Sequence, residues 1–382
     1  MDELYLAALS TLPNLGRLTI LRLANLMGSS EAVYKAKKKE LISTNLLTSQ
    51  QVAMLLRERP EDLPVRLDYL TRKDGMRIIS IFDQDYPLSL KQLHDPPLVL
   101  YVKGELPKEN YRVAIVGSRN CTSYGIRATE EFAKALVSKG VPIISGGAKG
   151  IDSVAHEACL AAGGKTVAVM GCGLDITYPY ENKELFERIQ ENGAIISEFP
   201  PTTPPKGCNF PMRNRIIVGL SQAVIVAEAA LASGASITAN IAADEGRDVY
   251  CVPGNIFDDT SAGCNQLIRN GANLITSAEE ILEDMERWRV ARLRGMETSI
   301  FDFTPLDLEE NNLQEKNTIN KEEANCSEFG KELLNFLKRG TMSLEALTQK
   351  SGRDVPTVSM ELLDLQVAGL VKQDIIGNYY RA

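Results

Sequence analysis

The sequence predicts an α/β protein built on a doubly wound, mostly parallel sheet. Three observations carry this. Between residues 111 and 285 short apolar runs alternate with stretches of helical periodicity. Several of the runs end in glycine, where a chain leaves a strand and turns. The runs are apolar at nearly every position rather than at every second one, which marks strands covered by helices on both faces. A Rossmann-like core is the natural reading.

The elements follow in order. Residues 1–75 read as a small helical domain. "LPNLGRLTILRLANLMGSSEAVYKAKKKEL" spaces its apolar residues helically, with breaks at Asn14–Gly16 and Gly28. A helix-hairpin-helix or SAM-like domain that touches a DNA backbone and a plain helical bundle fit this pattern equally. Residues 76–290 form the Rossmann-like domain. "GMRIISIFDQDYPLSL" and "PPLVLYVKG" give short leading strands. The series then runs "YRVAIVG", a helix over about 124–139, "VPIIS", a helix from about Asp152, "KTVAVMG", "GAIIS", "QAVIVAE", a helix from about Ser236, "DVYCVPG" and "GANLIT". "FPMRNRII" starts the helix that feeds "QAVIVAE".

Residues 291–330 read as a flexible acidic linker, polar and poor in aromatics. Residues 331–382 form a second small domain. Three short helices, "KELLNFLKRG", "SLEALTQKSG" and "VPTVSMELLDLQVAGL", precede a hairpin in "VKQDIIGNYYRA". That order is a winged helix. Its third helix, Pro356–Ala368, carries Glu361 and Asp364 and no base, unlike a helix that reads a DNA major groove.

Composition excludes several classes. The 382 residues have no apolar run of membrane-spanning length, and the start MDELYLAALS lacks a basic signal-peptide region. Seven scattered cysteines with no C-x-x-C pair, and only two histidines, His94 and His156, argue for a reducing cytoplasm and against zinc. "GGKT" at 163–166 has Cys159 where a phosphate-binding loop needs glycine, and it leads into a strand. "MGCGLD" at 170–175 lacks the third glycine of a dinucleotide fingerprint, because Ile176 stands there. No metal or organic cofactor is expected.

Charge is unevenly placed. The net charge is -8, yet residues 295–330 hold nine acids against two bases, so the rest is nearly neutral. Two stretches carry bases and no acid at all: Asn110–Thr129, with Arg112, Arg119 and Arg127, and Phe199–Ala227, with Lys206, Arg213 and Arg215. If they meet, they form a basic site that the global charge conceals.

In such sheets ligands bind at the carboxyl ends of the strands, beside helix N-termini. Two glycine-rich turns fall there. In the first, Gly117 admits a ligand to the backbone, Ser118 offers a hydroxyl and Arg119 a phosphate fork. In the second, Ser145, Gly146 and Gly147 offer backbone N–H groups and Lys149 adds charge. Arg213 and Arg215, flanking Asn214, do not share a helix face, so one is placed to reach a ligand and the other to brace the fold. Phe210 either stacks on a base or packs in the core. Glu228 is the acid of a competing reading, a nucleotide-binding enzyme or sensor, or it braces a helix.

Five motifs, "VGSRNCTSYG", "SGGAKGIDSVAH", "FPMRNRIIVGLS", "EAALASGASITA" and "GCNQLIRNGA", occur in an order and at spacings that resemble the DNA processing protein A family, DprA or Smf. The resemblance covers about 285 residues, and the tail fits a common layout of the family. It implies a protein, not an enzyme, that binds single-stranded DNA through a basic pocket. It further implies protection of incoming DNA in natural transformation, loading of the RecA recombinase, and a homodimer. Carried onto this sequence, the pocket would comprise Gly117, Ser118, Arg119, Ser145, Gly146, Gly147, Lys149, Lys206, Phe210, Arg213, Asn214 and Arg215.

Overall fold

The computed structural model describes residues 2–109, 111–293, 327–337, 342, 344–367, 370–373 and 379–381. Most of the segment read as an acidic linker therefore lies outside the described residues. The chain divides into two compact units, Met1–Phe301 and Asp302–Ala382.

The first unit opens with six helices: α1 (Asp2–Ser10), α2 (Arg17–Met27), α3 (Ser30–Lys35), α4 (Lys38–Ser43), α5 (Ser49–Glu58) and α6 (Leu63–Lys73). Gly28, in the left-handed region at φ 85°, ends α2, and Ser29 caps α3 by accepting the Ala32 N–H. A short strand β1 (Arg77–Ser80) follows, then α7 (Leu88–Lys91). The stretch expected to be strand throughout thus breaks into helix directly after Pro87, whose ring pre-sets a helix start.

Eight further strands complete one sheet: β2 (Val99–Gly104), β3 (Val113–Gly117), β4 (Ile143–Ser145), β5 (Thr166–Val169), β6 (Gly193–Ser197), β7 (Ala223–Glu228), β8 (Asp248–Cys251) and β9 (Asn273–Leu274). Seven helices accompany them: α8 (Ser123–Ser138), α9 (Ile151–Ala161), α10 (Lys183–Glu191), α11 (Asn209–Leu220), α12 (Gly234–Asp244), α13 (Ala262–Arg269) and α14 (Ala278–Leu293). The strand order is β1-β2-β6-β5-β4-β3-β7-β8-β9. All pairs from β6 to β9 are parallel, whereas β2 runs antiparallel to both β1 and β6.

Burial on both faces explains the continuous apolar runs. In β3, Val113 and Ile115 pack under α8, α9 and α14, while Ala114 and Val116 join the cluster under α11, α12 and α13. Strand β7 divides the same way, with Ala223, Ile225 and Ala227 on one face and Val224 and Val226 on the other. The N-terminal helices belong to a third cluster, in which Leu6, Leu9, Ile20 and Leu23 share a core with Tyr101 of β2 and Phe186 of α10. The helical region is therefore fastened to the sheet by apolar contact rather than by a tether.

The second unit contains the helices Glu328–Leu337, Leu344–Ser351 and Val355–Val367. The strands Val371–Gln373 and Tyr379–Arg381 pair antiparallel, and Met342 bridges to Tyr379. Leu333, Leu337, Leu347, Val358, Leu362 and Val371 form its core.

One buried polar group reports on the α9–sheet contact. The Thr166 hydroxyl donates to the Ile143 carbonyl at 2.8 Å, so its oxygen accepts Nδ1–H of His156 at 2.7 Å. Burial, reinforced by the charge of Arg213, pushes the His156 pKa down to about 3. The folded chain keeps the imidazole neutral while an unfolded chain takes up a proton near pH 6.5. The folded value is the depressed one. Stability is therefore intact above about pH 6.5 and is lost as the pH falls toward 3, by up to ~1.4 kcal/mol per pH unit. Urea unfolding between about pH 6.5 and 5.5, above most carboxylate titrations, should show this slope in the wild type. It should be absent in His156→Asn; an unchanged slope in that variant would place the proton uptake elsewhere.

Candidate nucleic-acid interface

From β3 the chain winds outward through β4, β5 and β6. It then returns to the other side of β3 and continues through β7, β8 and β9. The topological switch lies between β3 and β7, where a doubly wound sheet ordinarily opens a crevice. Here Glu228, at the end of β7, fills it. Its side chain is only 2% exposed. It accepts the Thr122 N–H at 3.1 Å and the Thr122 hydroxyl at 2.6 Å, just ahead of α8. A carboxylate at a helix N-terminus is favourably placed against the helix dipole. Gly125 in the first turn of α8 leaves it room, since a Cβ there would sit 2.3 Å from Glu228 Oε2. Glu228 is thus a brace, of α8 rather than of the helix that follows it in sequence. The enzyme reading loses its acid.

The opening is displaced to the ends of β3, β4 and β5. An open cleft of about 440 Å³ lies there, lined by Arg119, Gly146, Gly147, Ala148, Lys149, Met170, Gly171, Tyr178, Pro179, Phe210 and Arg213.

Arg213 forms the floor. It is 5% exposed. Its Nη1 donates to the Gly146 carbonyl at 2.6 Å and also to the Val169 carbonyl, joining the ends of β4 and β5. Burial lowers its pKa to about 10, opposed by the Asp152 carboxylate, so the guanidinium stays charged at neutral pH. Burial likewise raises the pKa of Asp152, opposed by Arg213 and by the Ala148 N–H that Asp152 accepts at 3.3 Å. Gly146 is required at this junction, because a Cβ would sit 2.7 Å from both Arg213 Nη2 and Asp152 Oδ2.

An aromatic wall stands above the floor. The Phe210 ring lies against Gly171, where a Cβ would come within 2.8 Å of Cδ1. Tyr178 sits beside it, ring centroids 5.6 Å apart, and is 41% exposed. The Arg119 guanidinium is 5.7 Å from the Phe210 centroid and that of Arg213 is 5.9 Å from it, both within cation–π range. Arg119 is exposed and makes no ion pair among the described residues. Lys149 is exposed and pairs with Glu181. Behind the cleft, Gly150 at φ 82° lets α9 approach the first turn, and Ile151 N–H donates to the Ser118 carbonyl at 3.1 Å.

The two acid-free stretches therefore do meet, through Arg119 on one side and Phe210 with Arg213 on the other. Gly146, Gly147 and Lys149 join them. Other residues of the expected pocket lie outside the cleft lining. Gly117 makes room for helix packing, since a Cβ would sit 2.6 Å from Ile151 Cγ1. The Ser118 oxygen accepts the Asn120 N–H at 3.2 Å. Ser145 is fully buried and donates to the Ile115 carbonyl. Asn214 is buried and accepts Arg213 Nε–H. Arg215 points away from the cleft to Glu198 and Asp95. Lys206 is exposed on the loop before α11, outside the cleft lining. Of the arginine pair, then, both brace, and Arg213 reaches the cleft only as its floor. The sequence reading missed Met170, Gly171 and Tyr178. The loop "GCGLDITYPY" also follows a strand, β5, so the rule that selected the other turns applied to it as well.

Comparison with known proteins follows this geometry. Residues 77–286 match the family model described as DNA recombination-mediator protein A. A protein Smf from Synechocystis sp. is 32% identical over 394 residues, covering 100% of this chain and 99% of that one. DNA processing protein DprA from Streptococcus pneumoniae is 46% identical over 208 residues, 54% of this chain and 73% of that one. The X-ray structure of the Streptococcus pneumoniae protein superposes with a TM-score of 0.63 at 36% identity, covering 74% of this chain and 97% of that one. A structure of DNA processing protein A from Helicobacter pylori, reported for its single-stranded DNA binding mode, gives a TM-score of 0.51 at 31% identity over 56% of this chain and 96% of that one.

The floor makes a stability prediction. Arg213→Met strands two carbonyls and the buried Asp152 without their cation, and should cost about 3–5 kcal/mol in urea unfolding followed by circular dichroism. A loss below about 1 kcal/mol would mean the guanidinium is not a structural tie.

Proposed function

Because the chain belongs to the DNA recombination-mediator protein A family, we propose that it binds single-stranded DNA in this cleft and helps load RecA recombinase onto the strand. The observation that carries this reading is exposed Tyr178 with partly buried Phe210 beside Arg119, which forms no ion pair among the described residues. Aromatic faces stack on unpaired bases of any sequence, and an arginine fork takes the phosphate between them. The buried acid at the switch point, Glu228, is engaged with the start of α8. The activity proposed is binding. A duplex hides its base faces, so single strands are preferred.

Two copies would hold two strands, or two places on one strand, and gain avidity through effective concentration. The complex works in the cytoplasm on incoming or recombining DNA, keeping it accessible while a filament nucleates. The winged-helix tail serves as a protein-contact module, because the helix Val355–Val367 carries two acids and no base.

Arg119→Ala should weaken binding of a single-stranded oligonucleotide by about tenfold and flatten its log–log salt dependence by roughly 0.7. Tyr178→Ala should cost about 1–3 kcal/mol with little change in that slope. If both variants bind as the wild type does, the cleft is not the DNA site. Displacement by a mononucleotide at comparable concentration would favour a nucleotide sensor. Truncation after Arg294 should leave the affinity within about threefold, a shift under ~0.7 kcal/mol. RecA filament assembly on strands coated with a single-strand binding protein should accelerate with wild type and not with Arg119→Ala. Equal acceleration by the two would remove the loading role.

A further inference from the structure

The loop 170–179 has two sides. One faces the cleft through Met170, Gly171 and Tyr178. The other covers a second, open pocket of about 180 Å³ among α10, β2 and β6. Met170 lines both, and Thr177, in the second cavity, is the immediate neighbour of Tyr178 in the first.

The second cavity has the chemistry of a nucleotide site. Its lining is mixed: apolar side chains such as Ile176, Met170 and Phe186 share it with polar ones. Two cations converge on it from separate elements, Lys103 from β2 and Lys183 from the start of α10. Neither lysine makes an ion pair among the described residues, although Glu187 stands one turn from Lys183 and also lines the cavity. Thr177 and Gln190 add hydrogen-bonding groups that a base edge or a sugar can use. A solvated lysine on an open surface has no preferred partner. Lys183 is exposed and Lys103 half-buried; two lysines that make no ion pair among the described residues, sharing one pocket with apolar and polar lining, match an anion that carries a flat body.

The geometry points to a second nucleotide subsite: the single strand that occupies the first cleft crosses the loop at Thr177–Tyr178, and its next nucleotides enter this cavity with their phosphates on Lys103 and Lys183. The inference rests on the proposal that the first cleft binds single-stranded DNA. The loop would then lie beneath the strand, with Met170 and Tyr178 as the partition between two successive binding positions. A short oligonucleotide fills the first position alone, and only a longer one reaches the second.

Oligothymidylates from about 3 to 12 nucleotides, titrated against the full chain, test this. With wild type, affinity should rise stepwise once the strand spans both positions. Lys103→Gln and Lys183→Gln should each remove about threefold or more of that increment and lower the salt slope for long strands by roughly 0.7, leaving the shortest strands unaffected. Lys183→Glu should remove more. Arg119→Ala should weaken strands of every length. Full-strength binding of long strands by both lysine variants, while Arg119→Ala binds weakly, would overturn the second subsite and leave the first intact. Equal loss at all lengths would also overturn it, since the lysines would then act on the first cleft. No effect of Arg119→Ala at any length would instead remove the reading on which the subsite rests.

Discussion

The site depends on one buried guanidinium. Arg213 reaches from α11 to the carbonyls of Gly146 and Val169, at the ends of β4 and β5. These carbonyls lie at the carboxyl ends of two neighbouring strands, and a single charged donor reaches both. The consequences spread outward. Position 146 must be glycine, since any side chain would strike the guanidinium. Asp152, at the start of α9, lies at the same junction and takes the Ala148 N–H, which shapes the second turn. The tie also fixes the first turns of α11, so that Phe210 rests on Gly171 and forms the wall of the cleft. The same residue thus places positive charge beneath the cleft, while the exposed Arg119 guanidinium also lies beside the Phe210 ring.

A second constraint decides where the cleft opens. The crevice at the switch between β3 and β7 is occupied by Glu228, which ends one strand and braces the helix after the other. With that position filled, the accessible strand ends are those of β3, β4 and β5. Three successive loops contribute there, one after each strand, together with the entry to α11. An elongated ligand is better matched by such a row of loops than by one crevice, which fits a polymeric strand.

The N-terminal helices are coupled to this arrangement by charge as well as by apolar packing. Arg215, two residues beyond Arg213, pairs with Glu198 and lies 3.5 Å from Asp95. Arg17 of α2 reaches the same two carboxylates, at 3.0 Å from Glu198. Glu198 is largely buried, with its side chain 8% exposed, so its pair with Arg215 is shielded from the screening that weakens surface pairs, whereas Asp95 is half-exposed. Helix α11 is therefore held from both sides: Arg213 anchors it to the sheet, and Arg215 anchors it to α2. In the fold Arg215 is paired with Glu198, which immediately precedes the acid-free run, and with Asp95, which lies far from it along the chain.

The sequence by itself determined the alternation of strand and helix, the glycine turns at the strand ends, and the family, because these depend on local periodicity and on contiguous motifs. Burial of alternate residues on opposite faces of β3 and β7 follows directly from runs such as "VAIVG". Only the tertiary structure decided which cations are paired and which is left open to solvent. Arg119, Arg213 and Arg215 look alike in one dimension, each in an acid-free stretch. Their roles diverge because Glu198 and Asp95 lie beside Arg215, two strand-end carbonyls beside Arg213, and solvent beside Arg119. Tyr178 was hidden for the same reason. A tyrosine in a loop acquires meaning only when the fold sets its ring 5.6 Å from that of Phe210, 32 positions later in the chain. Charge and aromaticity are properties of residues, but a binding surface is a property of which groups are left unpaired once distant segments have packed.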